Sequence, residues 1–376
     1  MSARTLLVDV HTHLYLPRYA SLLRSRASVP MIRSRADGDR LIILDNEPSG
    51  GRPVGSQYWD RDQKLAFMDK HGIDISIVST ANPWLDFLSV SEATSMANSL
   101  NQDLEEYCSS GPSFSPTLQR LYGMGLLPLV PSISVPTILD EVDHVAQLPH
   151  LRGVIMGTRG IGKGLDDDAL EPVWSKISDK GLVIFLHPHY GVSSSDVWGE
   201  KDNGHVLPLA LGFPFETTVA TTRMILAGVF DRHPSLKILL AHSGGALPIL
   251  SSRLASCITH DPVVASRLQH DARWYLGKLY YDAVAYGAEE LGFVSSTIGR
   301  AGKYGTPTTE AVAGSSHMTF GTDHPFFPPI LDAVKQDSKW MSVVENLKAI
   351  DGVRDWSEAE KSAVRGQNAL KLFGLN

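Results

Sequence analysis

The sequence predicts an α/β protein: one (β/α)8 TIM barrel covering residues 1–376 as a single domain, with long βα-loop insertions. Two observations carry this. Short β-rich runs alternate with helix-length amphipathic stretches from end to end, and most of the runs are near-continuously apolar, as strands of a parallel sheet buried on both faces must be. Strands are expected at 5–10, 74–80, 121–127, 152–157, 182–187, 236–241, 279–284 and 318–322. Helices are expected near 61–71, 91–108, 136–147, 168–179, 216–231, 245–258, 288–300 and 357–372, the last opening with the capping box Ser357-x-x-Glu360. Eight strands each followed by a helix favour a closed barrel over a doubly wound sheet. Three βα connections are long, at about 14–60, 188–215 and 323–352, and long connections in a compact domain usually serve as lids or interface loops. The first is punctuated by Pro30, Pro48, Gly50, Gly51, Arg52 and Pro53 and shows no dependable helical pattern.

Composition narrows the function classes. A formal net charge of −7 argues against a nucleic-acid or anionic-membrane surface, which calls for clustered Lys and Arg. Two cysteines, Cys108 and Cys257, make no disulfide framework, and MSARTLLVDV has no long apolar leader segment. No apolar run is long enough to span a bilayer. A reduced, cytoplasmic protein is expected, with a small-molecule partner and neither nucleic acid nor membrane.

In such a barrel, chemistry sits where the strands end at their C-terminal face. Strand one ends in Asp9-Val-His11-Thr-His13, strand five in His187-Pro-His189, strand six in His242 and strand eight in Asp323-His324. The H-x-H spacing puts both imidazoles on one side of a strand, because side chains alternate with period two. A third imidazole and a carboxylate arriving from other strands complete a set suited to Zn2+, or to another borderline divalent ion such as Mn2+. His11, His13, His187 and Asp323 are therefore the expected ligands of one ion per chain. Any of them alone is more often a packed core residue or a chance motif. Polar pieces of this kind at four strand ends (one, five, six and eight), in barrel order, are hard to obtain from packing alone. His189, His205 and His324 are left with supporting roles open, and the other histidines read as structural.

Gly157-x-x-x-x-Gly162-Lys163 mimics a phosphate-binding loop after a strand. Its next residue is Gly164 and not Ser or Thr, and no helix starts there, so a flexible loop at the pocket edge is expected. Asn82, at the end of strand two, carries an amide suited to reading the polar edge of a ring. Phe326 offers a face for a flat ring, against the plainer reading of loop packing.

The segments VDVHTH, FLHPHYG, LLAHSGG and FGTDHPFF resemble the amidohydrolase superfamily. More narrowly they resemble its decarboxylase branch, the 2-amino-3-carboxymuconate-6-semialdehyde and γ-resorcylate decarboxylases, as do residues 207–250 and the closing GQNALKLFGL. HTHLYLP, GRPV, ANPWLDFL, GIGKGLDD, HPHYG, GHVLPLALGFP and GTDHPFFPP, spread over nearly the whole chain, are similar to the fungal iso-orotate (5-carboxyuracil) decarboxylases. The resemblance implies metal-dependent, nonoxidative loss of CO2 from a planar cyclic carboxylate, with 5-carboxyuracil going to uracil. It also implies that His242 stands beside the metal and handles protons or holds the bound water, against the plainer readings of a fifth ligand or a supporting residue, that Asp323 is both ligand and proton donor, and that Arg52 reaches in from the first long loop. Arg253 corresponds to an arginine delivered into a neighbouring subunit's site, which makes a homodimer or a dimer of dimers the expected assembly. Guanidinium groups suit this task because they pair bidentately with carboxylates. Binuclear members of the superfamily bridge two ions with a carbamylated lysine at the end of strand four. Here that end is Gly157-Thr158, so one ion is expected. Other readings stay open: a hydroxybenzoate or aminocarboxymuconate semialdehyde as substrate, a mononuclear zinc hydrolase of a lactone, ester or amide, or a metal-binding scaffold without catalysis.

Overall fold

The computed structural model describes residues 5–375 apart from 46, 48–49, 192–198, 200, 202, 306–312 and 330–338; Pro48 and parts of the two later long connections lie outside the described residues. In chain order the strands are β1 (Val8–Leu14), β2 (Met31–Arg35), β3 (Gly38–Ile42), β4 (Arg52–Pro53), β5 (Ile75–Thr80), β6 (Leu121–Leu126), β7 (Leu151–Gly157), β8 (Val183–His187), β9 (Lys237–Leu240), β10 (Tyr280–Asp282) and β11 (Met318–Thr319). Eight of them form one sheet in the order β1-β5-β6-β7-β8-β9-β10-β11, every neighbouring pair parallel. Where β11 meets β1 the sheet nearly closes. The Val10 amide donates to the Phe320 carbonyl at 3.0 Å, the Asp323 amide to the His11 carbonyl at 2.8 Å, and the His13 amide to the His324 carbonyl at 2.7 Å.

The residue types explain the arrangement. β5 (ISIVST), β6 (LYGMGL) and β8 (VIFLH) are buried along their whole length, and such strands need cover on both faces. Helices supply it outside, and one hydrophobic cluster runs from Leu7 to Leu375. Cap residues fix where the helices start. Asp60 accepts the amides of Asp62 and Gln63 ahead of helix Arg61–His71, and Ser89 and Ser357 build capping boxes on Val90–Ser109 and Glu358–Ser362. Among the described residues no helix is long and apolar enough to cross a membrane.

Three departures from the sequence expectation concern the site. β1 begins at Val8 and runs on to Leu14, so the H-x-H motif lies inside the strand and not just beyond it. β11 is two residues long, not five, because residues from Phe320 onward leave the ladder and bond individually to β1 and to the Val364 carbonyl. The first long connection holds a helix, Pro17–Ser25, and an antiparallel sheet, β2-β3-β4. That helix buries only Tyr19, Ala20 and Leu23, too few turns to show a period, but the hairpin had a legible signal in Asp37-Gly38. A further helix, Met341–Gly352, occupies the end of the third long connection.

Candidate metal centre and active site

Strand geometry brings the ligands together. His11 and His13 leave β1 on one side, His187 is the last residue of β8, and Asp323 follows β11. One potential ligand atom from each of the four lies within 4.8 Å of the others, and all four residues are buried. Among the described residues no second group of His, Cys, Asp or Glu converges in this way. The three imidazole centroids stand 4.9–5.3 Å apart, above the ring of fully buried Phe185.

Each ring is oriented by a bond at its far nitrogen. His11 Nδ1 meets Asp282 Oδ2 at 2.5 Å, His13 Nδ1 meets the Ser79 hydroxyl at 3.0 Å, and His187 Nδ1 donates to the Pro188 carbonyl at 2.8 Å. Ser79 is the register partner of His13 on β5. This leaves the Nε2 atoms facing the centre, and among the described residues those of His11 and His13 are buried with no hydrogen-bond partner. Buried unpartnered nitrogens cost free energy unless something accepts their lone pairs, and a divalent ion fits that need. Electrostatics agrees. Burial, and then the neighbouring imidazoles, hold His13 and His187 well below the usual range and so in the neutral form that binds metal. Asp323 Oδ1 lies 3.3 Å from His11 Nε2 and 3.6 Å from His13 Nε2. Burial alone would raise its carboxyl, but the positive charge of His11 and the nearby His242 outweigh that and keep it ionised.

His242 occupies a turn after β9 with its Nε2 3.8 Å from Asp323 Oδ2 and its ring on the cavity wall. Its φ of +53°, the +53° of Ser243, the +61° of Tyr286 and the +56° of Asp323 are left-handed values that non-glycine residues avoid, and they cluster at this site. Asp282, which sequence reasoning passed over, holds the turn. It accepts the amide of His242 at 3.0 Å and that of Ser243 at 2.8 Å as well as bonding His11. The signal was a lone acid at the end of the buried run YYD.

The cavity above has a volume of about 670 Å³ and a largely apolar wall that includes Phe213, Tyr286, Phe326 and Phe327. Phe326 stands edge-on to His13 at 5.5 Å between centroids. Arg52 lies 5.2 Å over the Phe326 ring, almost wholly buried, with Nε and one Nη lacking hydrogen bonds among the described residues. Asn82 donates its amide to the His189 carbonyl, which leaves Oδ1 unpartnered. Arg52 and Asn82 line a small adjoining cavity that shares His205, Leu209 and Phe213 with the large one. Arg253 is exposed on helix Leu247–Thr259 and lines neither cavity of its own chain.

Of the undecided histidines, His205 lines both cavities and faces Glu47 at 3.3 Å, while His189 lies against Asp86 at 3.2 Å. His324 turns away from the cavity towards Lys64. A Cβ on Gly157 would come within 2.4 Å of both the Trp84 and His189 rings, so the end of β7 has no room for a ligand side chain. Lys163 is exposed and a Gly160–Gly164 bridge closes its loop, which bears no phosphate cradle at a helix start. Glu216, also unforeseen, accepts the amides of His189, Tyr190 and Gly191 and anchors the loop after β8.

Known proteins share this fold. A family model described as amidohydrolase matches residues 8–375. The 2-amino-3-carboxymuconate-6-semialdehyde decarboxylase of Dictyostelium discoideum is 26% identical over 385 residues, covering 99% of this chain and 93% of its own. The crystal structure of Metarhizium anisopliae IDCase in apo form superposes with a TM-score of 0.87 at 40% identity, covering 99% of this chain and 98% of that one. That of 5-carboxyvanillate decarboxylase from Sphingomonas paucimobilis gives 0.76 at 21% identity, covering 99% and 100%.

The carboxylate neighbours of His11 generate a prediction. Burial pulls its imidazolium down, but Asp323 and Asp282 together push it up to about 10. His11 must be neutral to bind an ion, so uptake near neutral pH has to expel its proton. Apparent affinity should rise about tenfold per pH unit between roughly pH 7 and 9, and calorimetry in buffers of different ionisation enthalpy should count about one proton released per ion. A pH-independent affinity with no proton release would exclude this coupling.

Proposed function

The chain belongs to the amidohydrolase family, and from that premise we propose that it is a metal-dependent, nonoxidative decarboxylase of a planar cyclic carboxylate, with 5-carboxyuracil as substrate and uracil and CO2 as products. The observation that carries the reading is the convergence of His11, His13, His187 and Asp323 under a cavity whose wall also holds His242 and Phe326. The similarity to an iso-orotate decarboxylase over nearly the full length of both chains supports the choice of ring. Zn2+ is the proposed ion on its preference for nitrogen and carboxylate ligands, with Mn2+ the second choice. Two free cysteines, Cys108 buried and Cys257 exposed, support a reducing, cytoplasmic setting.

A divalent ion held by these four residues supplies Lewis acidity and a fixed point of attachment for an anionic substrate. The rest falls to the chain. Arg52, buried with unpartnered N–H groups, pairs with an oxygen of the ring or its carboxylate. Asn82 Oδ1 accepts a ring N–H, and Phe326 packs against the ring face. Asp323, in its protonated form, delivers its proton to the ring carbon that bears the carboxylate. The bond to the carboxylate then breaks, its electron pair restores the ring's conjugation, and CO2 leaves. His242, across from Asp323 Oδ2, restores the proton. Asp323 is ionised in the resting site, so it must gain a proton as substrate enters and water leaves, when burial counts for more and its contacts with His11 loosen.

A homodimer completes the proposal. Val219, Ile249 and Leu250 are exposed apolar residues on the two helices Phe213–Leu226 and Leu247–Thr259, beside exposed Arg253. A second copy seated on this face buries them and carries Arg253 to its neighbour's cavity.

Three outcomes test the reading. In a panel of carboxylated pyrimidines, hydroxybenzoates and model lactones, the metal-loaded protein should release CO2 fastest from 5-carboxyuracil; lactone hydrolysis without CO2 release would replace a lyase with a hydrolase. Asp323→Asn should keep substantial metal and substrate affinity while turnover falls by about 10²–10⁴-fold. Near-normal turnover in the metal-loaded variant would move the donor role to His242. Mixing inactive Arg253→Ala chains with inactive Asp323→Asn chains should restore partial activity, whereas a fully active monomer would refute the shared site.

A further inference from the structure

Lysine is almost never fully buried without a reason, yet Lys64 on helix Arg61–His71 is only 2% exposed. Its ammonium donates to the Thr12 hydroxyl and, at 2.8 Å, to His324 Nδ1. Thr12 is the middle residue of the H-x-H motif and His324 is the residue after Asp323. Lys64 thus grips the two ligand-bearing segments from behind the metal centre. Asp9 makes the matching grip one step earlier. Its carboxylate accepts the Thr322 hydroxyl at 2.7 Å, the Thr322 amide at 3.1 Å and the His11 amide at 3.3 Å. The residues before and after Asp323 are therefore both tied to the strand that carries His11 and His13.

Asp323 needs such ties. Beyond Thr319 the continuous ladder gives way to individual main-chain bonds to β1, among them the Asp323 amide to the His11 carbonyl and the His13 amide to the His324 carbonyl, and the φ of +56° at Asp323 is a conformation that a non-glycine residue keeps only when its surroundings impose it. Closing the seam for stability alone asks for no charge, since well-packed apolar side chains generally do as well as a buried ion pair. Phe67 and Trp340, whose rings lie 3.8 Å and 4.7 Å from the His324 ring, already seal it. A desolvated ammonium beside two short polar acceptors makes sense as a device for geometry.

We propose that Lys64 is a positioning residue of the metal centre, clamping Thr12 to His324 so that Asp323 stays in register with His11 and His13. The inference rests on the metal reading above, and Co2+ serves as the probe because its visible absorption reports ligand number and geometry. Lys64→Met keeps most of the unbranched apolar stem and removes the amino group. The metal-free variant should melt within a few degrees of the unaltered protein. It should bind Co2+ roughly ten- to a hundredfold more weakly, with an altered absorption spectrum, as expected when the support of a ligand is removed. Co2+ affinity and spectrum equal to those of the unaltered protein would overturn the clamp, whatever happens to the melting temperature. Should Lys64→Met not fold, Thr12→Val decides. It deletes the hydroxyl that Lys64 holds and that itself donates to the His324 carbonyl at 3.3 Å, and weaker Co2+ binding with a changed spectrum supports the clamp between Thr12 and His324 where unchanged binding overturns it. The unaltered protein is the control. Failure of that protein to take up Co2+ would sink the metal reading itself and the clamp with it, whereas uptake that Lys64→Met leaves unchanged sinks the clamp alone.

Discussion

The carboxylate of Asp282 bonds His11 Nδ1 at 2.5 Å and accepts two main-chain N–H groups from the turn bearing His242, so one buried anion sets the direction of two rings. Burial would raise its own carboxyl, yet the positive charge of His11 outweighs this and keeps it ionised. Without that anion the His11 ring would be free to turn and the Nε2 lone pair would lose its aim. The two positive-φ residues His242 and Ser243 would also lose the bonds that make their conformation tolerable. The aim of the His11 ring, the placing of His242 and local backbone strain all lead back to this group at the end of β10.

Around it the site divides its tasks by polarity. Imidazoles and carboxylates gather at the bottom over Phe185, where the low dielectric strengthens every charge contact. Higher up, Phe213, Phe326 and Phe327 turn the cavity apolar and leave the arginine and the amide at one side. A flat acid entering this space meets charge only where its own charge can be placed. The strained backbone of Asp323 serves the same end, because it aims the carboxylate at both His11 and His242 from a segment tied to β1 by individual main-chain bonds and not by a continuous ladder.

Much of this was legible in the sequence because strand chemistry is local. Period-two alternation made His11 and His13 a pair, and apolar runs placed His187 and Asp323 at strand ends without any knowledge of contacts. What stayed hidden depends on distance along the chain. Asp282 meets His11 across 271 positions, and in the run YYD it looks like any strand terminus. Lys64 sits in RDQKLAFMDKH, where a lysine reads as a solvated face; its partner His324 is 260 residues away. The hairpin of β2 and β3 was missed for a different reason, since Asp37-Gly38 announced it but strands with exposed, charged tips carry a weak apolar signal. Arg253 is an exposed arginine on helix Leu247–Thr259, and the role proposed for it depends on a second copy of the chain.

The small sheet of β2, β3 and β4 pairs within itself and shares no ladder with the barrel, yet it delivers Arg52 to the cavity edge. Arg52 and the cluster of His11, His13, His187 and Asp323 are thus carried on separately knitted pieces of backbone. What stands at that edge of the cavity can be rebuilt within the insertion while β1, β8 and the Asp323 segment keep their bonds.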